Sequence, residues 1–173
     1  MVRILPALPL ALSLLMAAAV PMSAPAAAAS AEPLSRQAVS VLQAETMIDG
    51  AVAEAKSRGI EVSIVVVDSH GAIVAAHRMD GSGPAYFEIA RRKALTSAVF
   101  RAPSSTIENN VVNGLQGSGS FWGAMVLDDI MPRQGALPLK AGAETIGAIG
   151  VSGATPDVDE LIAQAGIDAL TQG

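Results

Sequence analysis

Two apolar runs joined by a tight turn constrain this chain more than any other feature. Residues 60–68 and 73–79 show the alternation of strands, and residues 68–71 (Asp-Ser-His-Gly) have the composition of a turn. A direct return of this kind favours antiparallel pairing, because parallel strands need a crossover of about a dozen residues or more. The sequence therefore predicts an antiparallel hairpin.

Helical periodicity flanks the hairpin on both sides. Apolar residues at three- and four-residue spacing predict helices over residues 35–58 and 84–100, the second opened by Pro84. Ser105 and Glu108 fit a capping box that starts a shorter helix. The glycine-rich residues 113–123 then indicate a mobile loop.

The last part of the chain has a second hairpin and a closing helix. Apolar runs at residues 136–139 and 145–151 predict the strands, and Thr155 with Pro156 supplies the helix start. The predicted order is helix, two strands, helix, short helix, two or three strands and helix. This order indicates an α/β protein of the α+β type, in which helices cover an antiparallel sheet.

The first 31 residues have the layout of a secretory signal peptide. Arg3 precedes 17 mostly apolar residues at positions 4–20, and Ala29-Ser30-Ala31 is a small-x-small cleavage pattern. The alternative is an uncleaved membrane anchor, but this stretch contains prolines and is short for a span of about 20 residues. We expect cleavage, a single domain over residues 32–173 with no stable membrane anchor, and a periplasmic or secreted location.

Charge and the lack of cysteine exclude several classes of function. Residues 32–173 carry ten Lys and Arg against sixteen Asp and Glu, a formal charge of −6. Nucleic acid is not an expected partner, since binding it requires clustered Lys and Arg. The chain has no cysteine, which excludes disulfides, thiolate metal sites and thioether-linked cofactors.

Several segments, taken in order, resemble the GlcG/HbpS family and together cover nearly all of the predicted domain. The similar segments are VVVDSHGAIV (65–74), RMDG (78–81), KALTSA (93–98), RAPS (101–104), GALPL (135–139), IGAIGVSG (146–153) and the helix over 157–166. They correspond to the family's opening hairpin, central helix, Gly-Gly-x-Pro segment, closing strand and closing helix. Ala136 stands in place of the second glycine of the Gly-Gly-x-Pro segment.

The resemblance implies a profilin-like α/β fold with a five-stranded antiparallel sheet flanked by helices, often in a homo-oligomer. It relates the chain to the C-terminal domain of PduO-type corrinoid adenosyltransferases, and it implies haem as the small-molecule ligand. Without cysteine, haem binding is limited to the non-covalent kind. The chain is thus interpreted as an exported haem-binding protein for haem capture, transfer or redox sensing, with binding favoured over catalysis.

Haem iron commonly takes His, Cys, Met or Tyr as its axial ligand. The candidates here are His70, His77, Met79 and Tyr86. Strand alternation groups His77 with Ile73 and Met79, so it fits either a metal ligand in an apolar pocket or a core histidine satisfied by one hydrogen bond. His70 lies in the turn, where it is either a ligand or a side chain that faces water.

Lys93 and Thr96 are further candidates for ligand binding. They lie one turn apart on the predicted central helix, where they could hold a carboxylate such as a haem propionate through a charge-assisted hydrogen bond. The alternative is a purely structural pair. Arg91 and Arg92 are expected to be solvated or paired with acids.

Two other functions stay open beside haem binding. One is an enzyme or accessory protein that acts on a small organic acid in a neighbouring catabolic pathway, and the other is an oligomeric scaffold without a ligand. No nucleophile elbow supports a hydrolase. The glycines at 147, 150 and 153 lack dinucleotide-binding spacing and fit close packing of a strand. Phe121 and Trp122 are expected to anchor the core or an interface.

Overall fold

The computed structural model describes residues 35–114 and 128–171. Its elements are, in chain order, α1 (Val41–Ser57), β1 (Ser63–Asp68), β2 (Ile73–Arg78), α2 (Pro84–Phe100), α3 (Ser104–Asn113), β3 (Ala136–Ala141), β4 (Glu144–Ser152) and α4 (Pro156–Ala169). The strand order is β2-β1-β4-β3, and each neighbouring pair is antiparallel. The α+β class and both predicted hairpins are therefore confirmed.

Some predicted features are not among the described residues. The part of the chain that the structure describes forms a four-stranded sheet, so the predicted fifth strand is not confirmed. The predicted signal peptide, most of the predicted loop at residues 113–123, and Phe121 with Trp122 lie outside the described residues. Within residues 35–114 and 128–171, no helix is long and apolar enough to cross a membrane.

Helix α1 begins six residues later than predicted. Ser40 caps it: the Ser40 hydroxyl accepts a hydrogen bond from Gln43 N at 3.1 Å, and Gln43 Oε1 accepts one from Ser40 N at 3.0 Å. Residues 35–40 precede the helix without regular secondary structure, and Val39 N donates to Ile146 O on β4 at 3.2 Å. This contact attaches the N-terminal segment to the sheet.

Helix α2 has the predicted bounds, whereas the predicted capping box of α3 is wrong. Helix α3 begins at Ser104 and has no side-chain cap. Glu108 instead accepts hydrogen bonds from Arg133 and from Gln134 N, both at 2.7 Å. The buried Ser104 hydroxyl lies against β3, where it accepts from Ala136 N at 2.9 Å.

The sheet separates two apolar layers. Ile64 and Val66 of β1 face the core shared with α1 and α4, while Val65 and Val67 face the alanine-rich side of α2. Gly150 allows α2 to lie close to β4, because a Cβ there would fall against the α2 backbone. Strand β2 stands at one edge of the described sheet, and its hairpin turn helps form the pocket described next.

Candidate functional site

A polar pocket of about 310 Å³ lies where the two hairpin turns meet the end of α2. We call it the His70 pocket; its lining residues are Arg36, Ser69, His70, Arg101, Ala143, Glu144 and Thr145. These residues come from the segment before α1, the β1–β2 turn, the residue after α2, and the β3–β4 turn with the start of β4. The antiparallel topology brings them together from distant parts of the chain.

The first hairpin turn fixes the position of His70. Asp68 Oδ1 accepts hydrogen bonds from His70 N at 2.8 Å and from Ala72 N at 3.0 Å, an arrangement that closes the turn through a side chain. Gly71 has φ of +88°, a conformation that residues with a side chain rarely adopt, and it packs against the end of the Leu95 side chain of α2. The turn is thus held by its own hydrogen bonds and by a contact with the neighbouring helix.

The imidazole of His70 keeps one ring nitrogen available. Its Nδ1 lies 3.3 Å from the Ser69 hydroxyl, and no described residue forms a hydrogen bond with Nε2. The side chain is exposed at the pocket. A neutral imidazole nitrogen in this position suits a transition-metal centre, and a protonated imidazole suits an anion.

Two arginines that no sequence pattern marks as site residues line the same pocket as His70. Arg101 follows α2 with φ of +56°, a left-handed conformation that is costly for a residue with a side chain and usually taken by glycine. Arg36 lies on the segment that Val39 attaches to β4. Neither arginine belongs to an ion pair within the described residues. In the sequence, Arg101 is part of the RAPS segment that ends the central helix, which does not indicate a binding role. Arg36 belongs to no periodic pattern that would indicate one.

The His70 pocket therefore has a positive bias in an acidic protein. It places two guanidinium groups and one imidazole around a single carboxylate, that of Glu144, although the whole chain has a formal charge of −5. Guanidinium groups bind carboxylates through paired, charge-assisted hydrogen bonds. The hydroxyl groups of Ser69 and Thr145 add further hydrogen-bonding capacity.

Apolar side chains lie next to the first hairpin turn and along the same side of the sheet. Leu95 contacts the hairpin turn, and Val99 lies one helical turn further along α2 with 43% of its surface exposed. Ile73, two residues after the turn glycine, is 48% exposed. Because opposite residues of paired strands share a face, and Ile73 is opposite Val67, Ile73 lies on the α2 side of the sheet. A planar apolar group at the pocket would have these surfaces available.

His77 lies on the other side of the sheet. A register shift between Val66 and Val67 changes the alternation along β2, so that Ile73 and His77 face opposite sides. His77 is opposite Ile64, which belongs to the core under α1. The predicted grouping of His77 with Ile73 is therefore wrong, and its cause is the bulge.

The surroundings of His77 are polar and open. The side chain is exposed and lines a shallow pocket with Lys56, Glu61 and Asp80 among its neighbours. Neither the apolar ligand pocket nor the core position expected for His77 is observed. In residues 35–114 and 128–171, no group of three or more His, Asp or Glu side chains is placed to hold a metal ion.

The other two candidate ligands also differ from a haem-facing arrangement. Met79 is 5% exposed and packs in the α1 core, with its sulfur 3.5 Å from Val62 N. Tyr86 is 40% exposed in the first turn of α2. Basic residues outside any ion pair of the described residues line the pockets of both histidines: Arg36 and Arg101 with His70, and Lys56 and Arg78 with His77. The His70 pocket has one carboxylate, that of Glu144, whereas the His77 pocket has two, so the positive bias belongs to the His70 pocket.

Lys93 and Thr96 are buried and engaged within the protein. Lys93 Nζ lies 2.8 Å from Asp159 Oδ2 of α4 and donates to Val151 O at 3.1 Å. Thr96 Oγ1 donates to the α2 backbone and accepts a hydrogen bond from Met131 N at 2.8 Å. These contacts match the structural alternative for both residues. The partner of Lys93 was missed because Asp159 lies 66 positions further along the chain.

Burial and pairing act on Asp159 in opposite directions. Desolvation raises the pKa of its carboxyl, while the hydrogen bond and charge of Lys93 lower it. Ala154 N donates to the second carboxylate oxygen at 2.9 Å. The pair thus joins α2 to α4 through the interior of the protein.

The neighbouring arginines pair with acids, as expected. Arg91 and Arg92 both contact Glu88, one turn earlier on α2, and both contact Asp129. The hydrogen bonds from the two guanidinium groups lower the pKa of Glu88 to about 2. This cluster lies at the surface, and in it both arginines are paired with carboxylates.

Comparison with known proteins gives a consistent result. Residues 39–168 match the family model described as "Haem degrading protein HbpS-like". Protein GlcG of Escherichia coli K12 is 33% identical over 109 residues, which is 63% of this chain and 77% of GlcG. A crystal structure of a double mutant of HbpS from Streptomyces reticuli has 30% identity and a TM-score of 0.72, and the match covers 87% of this chain and 99% of that one.

A further structural neighbour is a PduOC–haem complex. It has 24% identity and a TM-score of 0.68, with 76% of this chain and 94% of that chain covered. At this level of identity, the likeness concerns the fold alone.

Proposed function

Because this chain belongs to the HbpS-like family of haem-degrading proteins, we propose that it binds haem non-covalently at the His70 pocket. His70 would hold the iron through its available ring nitrogen, and Arg36 and Arg101 would pair with the propionates. One observation carries the proposal: His70, whose Nε2 has no hydrogen-bond partner among the described residues, lines the same pocket as two arginines that form no ion pair in that part of the chain.

The residues around the pocket fit the two ends of a haem molecule. Two guanidinium groups match two propionate groups in number and charge. Leu95, which contacts the turn at Gly71, and the exposed Ile73 and Val99 would supply apolar surface on the α2 side of the sheet. When bound, haem supplies an iron centre whose chemistry is that of the cofactor. The chain contributes the ligand, the anchoring charges and the orientation.

Hemin titration of the full chain, followed by the Soret band, tests the proposal. His70→Ala should lower the affinity by about tenfold or more, since it removes the iron ligand. His77→Ala is the matched control, because His77 is an equally exposed histidine on the opposite side of the sheet. Equal losses in the two variants, or no Soret shift in the parent protein, would refute the assignment.

A second test addresses the propionate contacts. Arg36→Gln and Arg101→Gln should each weaken hemin binding and increase its dissociation rate, because each removes one charge-assisted contact. Arg78→Gln provides a control with the same change of charge outside the pocket. A loss of affinity in the control as large as in the two test variants would show a general charge effect instead.

The polar lining of the His70 pocket also favours a second candidate, binding of a small organic acid. Arg36, Arg101 and the hydroxyl of Thr145 could hold a carboxylate without any contribution from the apolar rim. Isothermal titration with glycolate and oxalate would detect such binding. If these acids bind with micromolar affinity while hemin does not bind, the organic acid becomes the better assignment.

Export, assembly and haem transfer belong to the same proposal. The signal-like residues 1–31 support export to the periplasm or outside the cell, which cell fractionation would test. The position of His70 at an exposed turn supports transfer of haem to another protein, measurable as hemin loss to apomyoglobin. Homo-oligomer formation is to be measured by light scattering of the purified protein.

A further inference from the structure

A second cavity, far in sequence from the histidine turn, lies between α4 and the start of β3. Its volume is about 380 Å³, within the usual range of about 300–1,000 Å³ for small-molecule sites. We call it the α4 groove; its lining residues are Gln134, Leu137, Asp157, Glu160, Leu161 and Gln164. It shares no lining residue with the His70 pocket, so a ligand of the groove can be tested separately from haem binding.

One carboxylate oxygen of Glu160 has no hydrogen-bond donor among the described residues. Its Oε1 accepts a long hydrogen bond from Gln134 Nε2 at 3.3 Å. Its Oε2 is shielded from solvent and has no donor among the described residues. An unsatisfied buried polar group costs about 1–3 kcal/mol, and more when charged. The groove therefore holds a carboxylate oxygen to which no donor or basic side chain of the described residues is paired.

Two basic side chains close in sequence or packing to the groove form ion pairs with other carboxylates. Arg133 pairs with Glu108, and Lys93 pairs with Asp159. None of the six lining residues is basic. Asp157 adds a second negative charge, because hydrogen bonds from the Thr155 hydroxyl and from the backbone lower the pKa of its carboxyl.

The remaining lining groups define the shape of a ligand. The amide nitrogen of Gln134 is directed to Glu160, and that of Gln164 donates to Asp168 at 2.7 Å, which leaves the amide oxygens as acceptors. Leu137 and Leu161 form apolar walls, and Leu161 is 51% exposed. The groove thus combines acceptors of negative charge with apolar surface.

We propose that the α4 groove binds an organic cation that carries N–H donors and a short alkyl body, such as an alkylammonium ion. Because Oε2 is shielded from solvent in the free protein, binding would require a rotation of the Glu160 side chain that turns this oxygen towards the ammonium group. The ammonium group would also donate to the amide oxygens, and the alkyl chain would lie along Leu137 and Leu161. A divalent metal ion is the poorer match, since no described trio of His, Asp or Glu side chains is placed to hold one.

Titration of the ¹⁵N-labelled full chain with hexylammonium chloride tests this proposal by NMR. Saturable shifts of the α4 backbone amides are expected. Glu160→Gln, which removes the charge and keeps the shape, should weaken binding by about tenfold or more. Glu45→Gln is the matched control: it makes the same substitution at an exposed carboxylate of α1 outside the groove and should change the affinity less than about twofold.

A second variant separates loss of binding from loss of folding. Leu161 is largely exposed, so Leu161→Ser should leave the fold intact. It should weaken the binding of hexylammonium by about fivefold, because the groove loses one apolar wall. Hexyltrimethylammonium has no N–H donor and should bind at least about tenfold more weakly than hexylammonium.

Three results would overturn the proposal. The first is the absence of saturable shifts in α4 with hexylammonium. The second is equal binding by hexanol, which would show that the charge does not matter, or by hexyltrimethylammonium, which would show that the N–H donors do not matter. The third is displacement of hexylammonium by equimolar Ca²⁺, which would show a nonspecific acidic surface.

Discussion

Replacement of Lys93 by Met should destabilise the protein far more than its single lost charge suggests. Lys93 and Asp159 have side-chain exposures of 3% and 2%, so the substitution leaves a carboxylate buried without its counter-charge. Breaking a buried pair in this way costs about 3–5 kcal/mol, a large part of the roughly 5–15 kcal/mol that stabilises a typical domain. The Val151 carbonyl also loses the donor that Lys93 supplied.

Urea denaturation followed by circular dichroism at pH 7 measures this loss. Arg58→Met is the control, because Arg58 pairs with Glu54 on the surface of α1, where such pairs contribute about 0–1 kcal/mol. The double variant Lys93→Met/Asp159→Leu should recover most of the loss, since it removes both buried charges. A Lys93→Met cost as small as that of Arg58→Met, or a double variant as unstable as the summed single variants, would refute the reasoning.

The pH dependence provides an independent check with a defined sign. Burial raises the pKa of Asp159 in the folded protein, and the loss of Lys93 removes the main opposing effect. A raised carboxyl pKa means that the folded state binds the proton more readily than the unfolded state, so stability increases as pH falls through the folded pKa. The difference between wild type and Lys93→Met should therefore shrink from pH 7 towards pH 4. A constant difference would contradict the explanation.

Three further substitutions test the fold that carries the pocket. Glu88→Gln should cost about 0–1 kcal/mol at pH 7, because the Glu88–Arg91 ion pair is partly exposed. The folded pKa of Glu88 is about 2, against 4.5 when unperturbed. The difference in stability between wild type and Glu88→Gln, measured by urea titration, should therefore disappear as pH falls from about 4.5 to about 2. Gly150→Ala should cost about 1–3 kcal/mol in the same assay, because its methyl group would meet the backbone oxygen of Ala90; an unchanged midpoint would contradict this close approach. Ser104→Ala should cost about 1–3 kcal/mol by calorimetry, since it leaves the buried N–H of Ala136 unpaired, and a neutral result would mean that the N–H finds another acceptor.

Local signals in the sequence were sufficient to predict most elements of the fold. Pro84 at the start of α2 and the residues before Pro103 gave that helix its observed bounds. The turn at residues 68–71 gave the hairpin. The predicted start of α1 at residue 35 lay ahead of the apolar spacing, which begins at Val41, and the Ser40 cap places the helix start at that residue.

The candidate site was harder to predict, because its parts are brought together by tertiary structure. A bulge in the first hairpin reversed the face expected for Ile73 relative to His77, and strict alternation cannot show a bulge. Arg36 and Arg101 approach His70 through packing of separate segments and carry no pattern of their own. Lys93 did carry a usable signal: it lies between Ala90 and Ala94 on the buried side of α2, and a buried lysine requires a partner.

The central claim, that His70 holds the haem iron, is tested most directly by chemical rescue. Hemin is bound to the full-length His70→Ala variant, and imidazole is added while the Soret band and the electron paramagnetic resonance spectrum are recorded. The proposed site predicts that imidazole restores the parent spectrum in His70→Ala, and that the His77→Ala complex has the parent spectrum without imidazole. A parent-like spectrum of His70→Ala before imidazole is added would contradict the claim.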